Sequence, residues 1–269
     1  LGMGGTSLVL SLWYRQPVLT AWSTPGAAVL AVTQGVTLPE ATGAFIVSAL
    51  LIMGVGYSGL FERWMARIPL ALASALLAGV LARFALDAVG AVGQAPVLVL
   101  CMAGSYLLGR RFFSRWAVPC VLAVGMAVAA LQGQLNAAQI AWTWATPVWV
   151  SPEWRWGAMV SVALPLFIVT MASQNLPGVA AQRSAGYNTP ISPVIGATGC
   201  VTLLLAPFGG YALNLAAITA AICMGREAHA DPTRRYTASA AAGLFYILLG
   251  LAGASIVSLL AAFPKAMVL

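Results

Sequence analysis

The feature that most limits what this chain can become is a succession of long apolar runs almost without charge. Ten can be drawn, at residues 1–14, 17–35, 41–61, 69–87, 95–109, 116–132, 157–177, 190–207, 209–225 and 237–262. Crossing the roughly 30 Å of a bilayer's hydrocarbon takes about 20 apolar residues of helix. Only 7% of the residues are charged and 61% are hydrophobic, whereas a soluble domain carries roughly 25% charged residues. A water-soluble globule could not be covered from this composition. The chain is predicted to be an all-α polytopic membrane protein.

The links between runs are short and hold Pro, Gly and Arg, except for a Trp-rich stretch at 133–156. If every run crosses, Arg15, Arg63, Arg67, Arg110, Arg111, Arg115, Arg183, Arg226, Arg234 and Arg235 fall on one side. Arg83, Arg155 and Lys265 fall on the other. The excess of positive loops makes the arginine-rich side cytoplasmic. The net charge of +7 is thus an orientation signal. It does not indicate nucleic acid, since no basic run is interleaved with aromatics. Trp142, Trp144, Trp149, Trp154 and Trp156 then lie on the outer side, as an interfacial aromatic belt. Cys101, Cys120, Cys200 and Cys223 sit inside apolar runs without a CxxC pair. They are expected to be small buried hydrophobes, with no metal or disulfide framework. Neither "LGMGGTSLVLSLW" nor "FPKAMVL" resembles a natural boundary, and no signal-peptide pattern is present. The chain is therefore expected to be part of a longer membrane protein.

Two runs break themselves. In "VLTAWSTPGAAVLAV" (18–32) the residues around Ser23 tolerate extended backbone, Thr24 suits an N-cap, and Pro25 suits the first helical position. This predicts extended chain followed by a half-helix that starts near mid-membrane. Irregular backbone at that depth requires surrounding protein or a watered cavity. Laid without a gap over "PVLTAWSTPGAAVL" (17–30), "PFGGYALNLAAITA" (207–220) has the same layout, with Pro207 on Pro17, Asn214 on Thr24 and Ala217 on Ala27. An odd number of crossings separates the two, so they run in opposite directions. Interrupted segments at matching positions of inverted halves point to a transporter's midplane site. Two half-helix N-termini converging there would present unpaired N–H groups and partial positive charge to an anion. The alternative is a pair of kinks relieved by neighbouring helices.

The motifs "TAWSTPGAA", "SQNLPGVA", "ISPVIGATG", "LLLAPFGGYALNLAAITAAICMG" and "DPTRRYTA" resemble those of the benzoate/proton symporter family, through essentially the whole chain. The resemblance implies a bacterial inner-membrane, multi-pass importer of benzoate with a proton. It also implies the fold of the uracil/proton symporter and sulfate transporters, an inverted repeat of seven plus seven segments. In that fold two broken segments each hold a short strand and a half-helix, and a core domain moves against a gate domain. Laid on it, the chain looks truncated, lacking the first segment and the last three. Residues 1–61 would be the first core repeat (partial) and 69–132 the first gate repeat. The 133–156 stretch would be an outer link and 157–262 the second core repeat, with the second gate part largely absent.

Benzoate needs an anion-stabilising pole and an apolar slot. Ser23, Thr24, Gly26 and Ala27 would form one pole, with Gly26 and Ala27 as N–H donors, and Asn214, Leu215 and Ala216 the other. Ser173, Gln174 and Asn175 end the seventh run, where the nucleobase relatives carry a substrate-holding glutamate. Amides there suit an anionic substrate; the alternative is a cap at the cytoplasmic surface. Trp22, Tyr211, Phe208 and Met171 are ring contacts or packing residues. None of the six acids falls mid-run. Glu40, just after Pro39, is the proton-coupling candidate, or else a helix-start acid favoured by the dipole. Coupling through the substrate carboxylate itself, or through segments outside the chain, stays open. His229 in the loop "REAHADPTRR" is not favoured. Gly54 and Gly56, Gly196 and Gly199, and Gly250 and Gly253 are expected to permit close helix packing. The expected partners are benzoate or a similar aromatic carboxylate, a proton and the lipid bilayer, with a homodimer admitted and no cofactor, metal or nucleic acid. An anion channel or non-transporting sensor on the same fold is the competing function. An enzyme is not expected, because no buried nucleophile and base are paired.

Overall fold

The computed structural model describes residues 1–33, 35–65, 67, 78, 82, 86, 88–113, 116–133, 144–253, 255, 256 and 258. Most of the fourth predicted run (69–87) lies outside the described residues, as do Arg83, Asp87, Arg115, Trp142 and Lys265. The protein is mostly helical. In chain order come α1 (Gly2–Tyr14), β1 (Thr20–Trp22), α2 (Thr24–Val32), α3 (Leu38–Tyr57) and α4 (Leu60–Met65). Next are α5 (Pro96–Phe112), α6 (Ala117–Leu131) and α7, which runs through Trp156–Ser184. Then come α8 (Ile191–Leu205), β2 (Leu213–Leu215), α9 (Ile218–Met224) and α10 (Tyr236–Leu251). Among the described residues three helices are long and apolar enough to cross a membrane: Leu38–Tyr57, Trp156–Ser184 and Ile191–Phe208. The seventh run does not stop at 177 as expected. Pro177 lies inside α7, directly after its π-helical turn Met171–Asn175, and the helix continues to Ser184.

Two compact units are present, Leu1–Leu77 with Thr146–Gly250, and Ala78–Ala145 with Leu251–Leu269. In the second, α5 packs on α6, and a side chain at Gly109 would come 3.0 Å from the Ala117 Cα. In the first, α3 lies along α8. A side chain at Gly56 would stand 2.5 Å from the Gly196 amide nitrogen, and one at Gly199 2.7 Å from Met53 Cγ. Those three glycines allow the close approach that helices in lipid need, where no hydrophobic force drives them together. Gly54 faces open space and has no such task. The expected burial of the cysteines also fails: Cys101 and Cys120 are exposed, Cys200 and Cys223 half-buried, and all four free. A lipid-facing surface is itself apolar, so a small thiol gains little from burial.

The broken runs are the architectural centre of the first unit. β1 and β2 pair antiparallel, with Thr20 opposite Leu215, Ala21 opposite Asn214 and Trp22 opposite Leu213. Extended backbone at membrane depth must find partners within the protein, and each strand supplies them for the other. On its far side β1 is held by hydroxyls of α1. Ser7 Oγ accepts from Thr20 N at 2.9 Å, and Ser11 Oγ donates to the Val18 carbonyl at 2.7 Å. The Thr20 hydroxyl meets Thr6 Oγ1 and Ser7 Oγ, and all four of these side chains are buried. Leu10, Val18, Ile52, Val179, Val194 and Leu215 form the adjoining apolar core.

The ends of the segments sort by side. Thr189 Oγ1 donates to Gln16 Oε1 (2.6 Å), Gln182 Nε2 to the Pro17 carbonyl (3.4 Å), Ser192 Oγ to Glu62 Oε2 (2.7 Å) and the Tyr187 hydroxyl to the Pro232 carbonyl (3.0 Å). All these residues belong to the arginine-rich side of the sequence. On the opposite side, Glu153 N donates to the Pro39 carbonyl at 3.0 Å and Val150 N to the Pro207 carbonyl at 2.8 Å. There the Arg155 guanidinium meets Glu40 Oε1 at 2.9 Å, and Trp149 stands edge-on to Phe208 at 5.3 Å. Residues 149–155 of the Trp-rich link therefore strap the start of α3 and the segment leading into β2. Trp144, Trp149, Trp154 and Trp156 keep most of their surface exposed.

Candidate functional site

The first half-helix is built by its cap. Ser23, completely buried, holds an extended conformation and accepts from Gly26 N at 3.0 Å, with Pro25 in the first turn. The cap is thus Ser23, one residue before the expected Thr24. Two adjacent hydroxyl residues are equally able to cap. The choice falls to the end of β1 at Trp22, which leaves Ser23 as the first residue free to bend. The cap also removes the two donors expected for an anion. Gly26 N is taken by the Ser23 hydroxyl, and Ala27 N by the Ser23 carbonyl at 2.9 Å. Among the described residues no backbone partner is found for the Thr24 amide, and the Thr24 side chain is exposed.

The second break is organised differently. Asn214 lies at the centre of β2, opposite Ala21, and is not a cap; the N-cap of α9 is Ala217, which has no capping side chain. The ungapped overlay with Thr24 is out of register because strand pairing, not local capping, decides where each half-helix begins. Leu215 N and Ala216 N, expected as donors, are occupied. The first goes to Asn175 Oδ1 at 2.9 Å and the second to the Leu19 carbonyl at 2.8 Å. Asn214 is fully buried; its Nδ2 donates to the Ala212 carbonyl at 3.2 Å, and its Oδ1 has no partner. The same Ala212 carbonyl accepts from Ser23 N at 3.1 Å, and Ala212 holds a positive φ of 29°. An alanine in that region is strained, and here the strain sits where the two broken segments touch.

The third constellation lies on α7. Two of its turns are π-helical, Met159–Ala163 and Met171–Asn175, a widening that often occurs at functional sites. It brings Gln174 to the start of α2, where Gln174 Nε2 donates to Thr24 Oγ1 at 3.3 Å. Asn175 turns inward. It is completely buried, with Oδ1 on Leu215 N and Nδ2 3.1 Å from Met171 Sδ. It holds β2 in place and is not a surface cap. Ser173 is also engaged, donating to the Val169 carbonyl at 2.5 Å. A side chain at Gly178 would stand 2.7 Å from Leu215 Cβ, so β2 is seated directly on α7.

Aromatic rings complete the site. Trp22 and Tyr211 are edge-on with centroids 5.7 Å apart, and Tyr211 also packs on Phe45 at 5.7 Å. Among the described residues the buried Tyr211 hydroxyl has no hydrogen-bond partner, while Trp22 remains 51% exposed. Beyond Phe45, Leu30, Thr33, Val36, Leu38 and Val162 line an open, mainly apolar cavity of about 320 Å³. Phe208 is drawn to Trp149 instead, and Met171 to Asn175. The structure thus gathers Trp22, Thr24, Gln174 and Tyr211, with Ser23, Asn175 and Asn214 behind them.

Glu40 closes a capping box. Its Oε2 accepts from Thr37 N at 2.9 Å, Thr37 Oγ1 accepts from Glu40 N at 3.4 Å, and Oε1 faces Arg155. Both carboxylate oxygens are occupied, as they would be in a helix-start acid. No motif marks the hydroxyls at Thr6, Ser7 and Thr20 as a cluster. Their signal is three polar residues, Thr6, Ser7 and Ser11, inside one apolar run. Among the described residues no group of His, Cys, Asp and Glu is arranged to hold a metal.

Comparison with known proteins adds chemistry to this geometry. The family model described as benzoate membrane transport protein matches residues 1–269. "Inner membrane protein YdcO" of Escherichia coli (strain K12) is 46% identical over 265 residues, covering 98% of this chain and 68% of that protein. The "Benzoate membrane transport protein" of Acinetobacter baylyi (strain ATCC 33305 / BD413 / ADP1) is 39% identical over 269 residues, covering 100% of this chain and 68% of its own length.

Proposed function

This chain belongs to the benzoate membrane transport family, a family of membrane transporters and not of enzymes, and from that premise we propose that it imports benzoate, or a similar aromatic carboxylate, together with a proton. The membrane is the bacterial inner membrane, with the arginine-rich loops in the cytoplasm. The two broken segments are corresponding parts of inverted repeats of seven segments each, and the unit that contains them moves against a gate so that the site faces each side in turn.

One contact carries the reading: the 3.3 Å bond from Gln174 Nε2 to Thr24 Oγ1. It joins a long helix to the N-terminus of a half-helix at a point the protein leaves open. The substrate carboxylate replaces that bond, accepting from the Thr24 amide and hydroxyl and from the Gln174 carboxamide. The nine-residue α2 adds its dipole to these donors. Asn214 and Leu215 in β2, with Ala216 after it, support the opposite wall, the Leu215 amide being committed to Asn175 and the Ala216 amide to the Leu19 carbonyl. Trp22 and Tyr211 take the ring, since an edge-on aromatic pair accepts a third flat face. The apolar cavity beyond Phe45 is the approach from the outer side. Neutral amides at Gln174 and Asn175 leave no fixed negative charge to repel the carboxylate.

Glu40 is the coupling candidate within this chain. Protonation would release Arg155 and loosen the strap over the outer end of α3.

Labelled benzoate uptake by the full-length protein in proteoliposomes tests this. Accumulation is expected only under an inward proton gradient; its absence would sink symport. Gln174→Ala and Thr24→Ala should each weaken benzoate binding by about tenfold, the loss of one hydrogen bond to a charged group. Normal binding in both variants would remove the site from the start of α2. If Glu40 carries the proton, Glu40→Gln transports without responding to the gradient; unchanged coupling leaves Glu40 as a helix cap alone.

A further inference from the structure

Below the strand crossing, on the arginine-rich side, lies a second cavity of about 330 Å³. Its polar wall is formed by Glu62, Gln182, Arg183, Tyr187, Asn188 and Thr189, and its apolar wall by Val179, Pro190 and Ile191. The volume is at the lower end of those that hold small molecules. Val179 and Gln182 follow Asn175 by one and two turns of α7, at the spacing that keeps residues on one helix face. The cavity therefore begins within about 10 Å of the residue that seats β2, at 1.5 Å of rise per residue.

Most of its polar groups are committed. Gln182 binds the Pro17 carbonyl, Thr189 binds Gln16, Tyr187 binds the Pro232 carbonyl, and Glu62 Oε2 accepts from Ser192. Two are free. Among the described residues Arg183 has no carboxylate within ion-pair distance, and the Asn188 side chain has no hydrogen bond. Gln182 and Thr189, on either side of the guanidinium in sequence, are nearly completely buried. An unpaired guanidinium offers a fork of donors matched to a carboxylate. The apolar wall of Val179, Pro190 and Ile191 gives a flat ring a place to lie. Glu62 is the one negative charge facing the cavity, and it keeps any anion bound there weakly.

We infer that this cavity is a second, weaker station for the transported arylcarboxylate on the arginine-rich side, with Arg183 as counter-ion and the Asn188 amide as an additional donor. The inference rests on the transport reading above. Substrate leaving the crossing passes through it. A high concentration of the same acid on that side refills it and slows further release.

The test is sided. Half-saturating benzoate concentrations are measured from each face, using full-length protein reconstituted in inside-out and right-side-out orientation. Arg183→Gln should raise the value on the arginine-rich face by about tenfold, as expected for one charge-assisted contact. On the other face it should change less than about twofold, and Arg183→Lys should restore most of the loss, since a point charge keeps part of a forked contact. Asn188→Ala, at an exposed position, gives the same one-sided shift at about threefold and serves if Arg183→Gln fails to assemble. No shift on either face, or equal shifts on both, overturns the station. Failure of the transport reading looks different: the unsubstituted protein then shows no saturable benzoate flux from either face.

Discussion

Removing the Asn175 carboxamide would leave the Leu215 N–H buried without a partner. Asn175→Ala is expected to destabilise the protein by about 1–3 kcal/mol, read as a fall in melting temperature in detergent. A melting temperature equal to that of the unsubstituted protein would show that water or a neighbour replaces the amide. Gly209 holds φ at 81° in the turn before β2. Gly209→Ala forces a side chain into that region and should cost about 1–2 kcal/mol, whereas Gly5→Ala, in helical backbone with open space beside it, should be neutral or slightly stabilising. Equal effects at both positions would show that the turn is not strained. Asp231 gives a pH expectation. The Thr233 hydroxyl and amide donate to its Oδ1 at 2.7 and 2.9 Å and hold its carboxyl below the ordinary carboxylate range, with Arg234 and His229 adding to the effect. A depressed folded value stabilises the turn above the unfolded pKa of about 3.9 and loses that contribution as pH falls through the folded value. Hydrogen-exchange protection of the Thr233 amide, corrected for intrinsic rate, should be flat from about pH 5 to 7 and drop only in stronger acid. A change centred near pH 6 would count against the carboxylate as its cause.

The elements differ in how much of them a single sequence discloses. The start of α3 is partly legible: Pro39 and Glu40 mark a helix start, and the structure completes the cap with Thr37, three residues earlier than Glu40. The half-helix after Ser23 is equally legible as a half-helix, and its cap is misjudged by one residue because Ser23 and Thr24 are chemically interchangeable there. Asn214 is misread for a deeper reason. Its role depends on Ala21, a partner far away in the sequence, and no local pattern encodes a strand of three residues. The π-turn at Met171–Asn175 also has no sequence signal, so the inward turn of Asn175 and the outward reach of Gln174 are invisible beforehand. A test belongs here. Gly178→Val would push a branched side chain into Leu215, shifting β2 while α7 itself is little affected. Helix content by circular dichroism should stay near that of the unsubstituted protein while benzoate uptake is lost. Retained uptake would show that β2 tolerates displacement.

At the scale of the whole molecule, contacts among the described residues group the segment ends into two sets. Gln16 with Thr189, Pro17 with Gln182 and Glu62 with Ser192 meet on one side, and Glu40 with Arg155 and Pro207 with Val150 on the other. Cysteine introduced at Asn188, with the native cysteines replaced, should react with an impermeant maleimide only from the cytoplasmic face, and cysteine at Trp154 only from the opposite face. Labelling of both from one face would contradict the topology. The strand pair itself has a consequence for biosynthesis. Thr20 cannot meet Leu215 until the ribosome has added the intervening chain, a delay of roughly 10–40 s at 5–20 residues per second. Through that interval β1 would wait in the bilayer with its backbone unpaired, were it not for Ser7 and Ser11, which emerge before it and bond Thr20 N and the Val18 carbonyl at once. Replacing both serines by alanine should therefore lower the yield of inserted protein in a pulse-chase experiment more than it lowers the melting temperature of whatever does insert. The buried hydroxyls of the first helix act as a nascent-chain holdfast, keeping one strand presentable until its partner is translated.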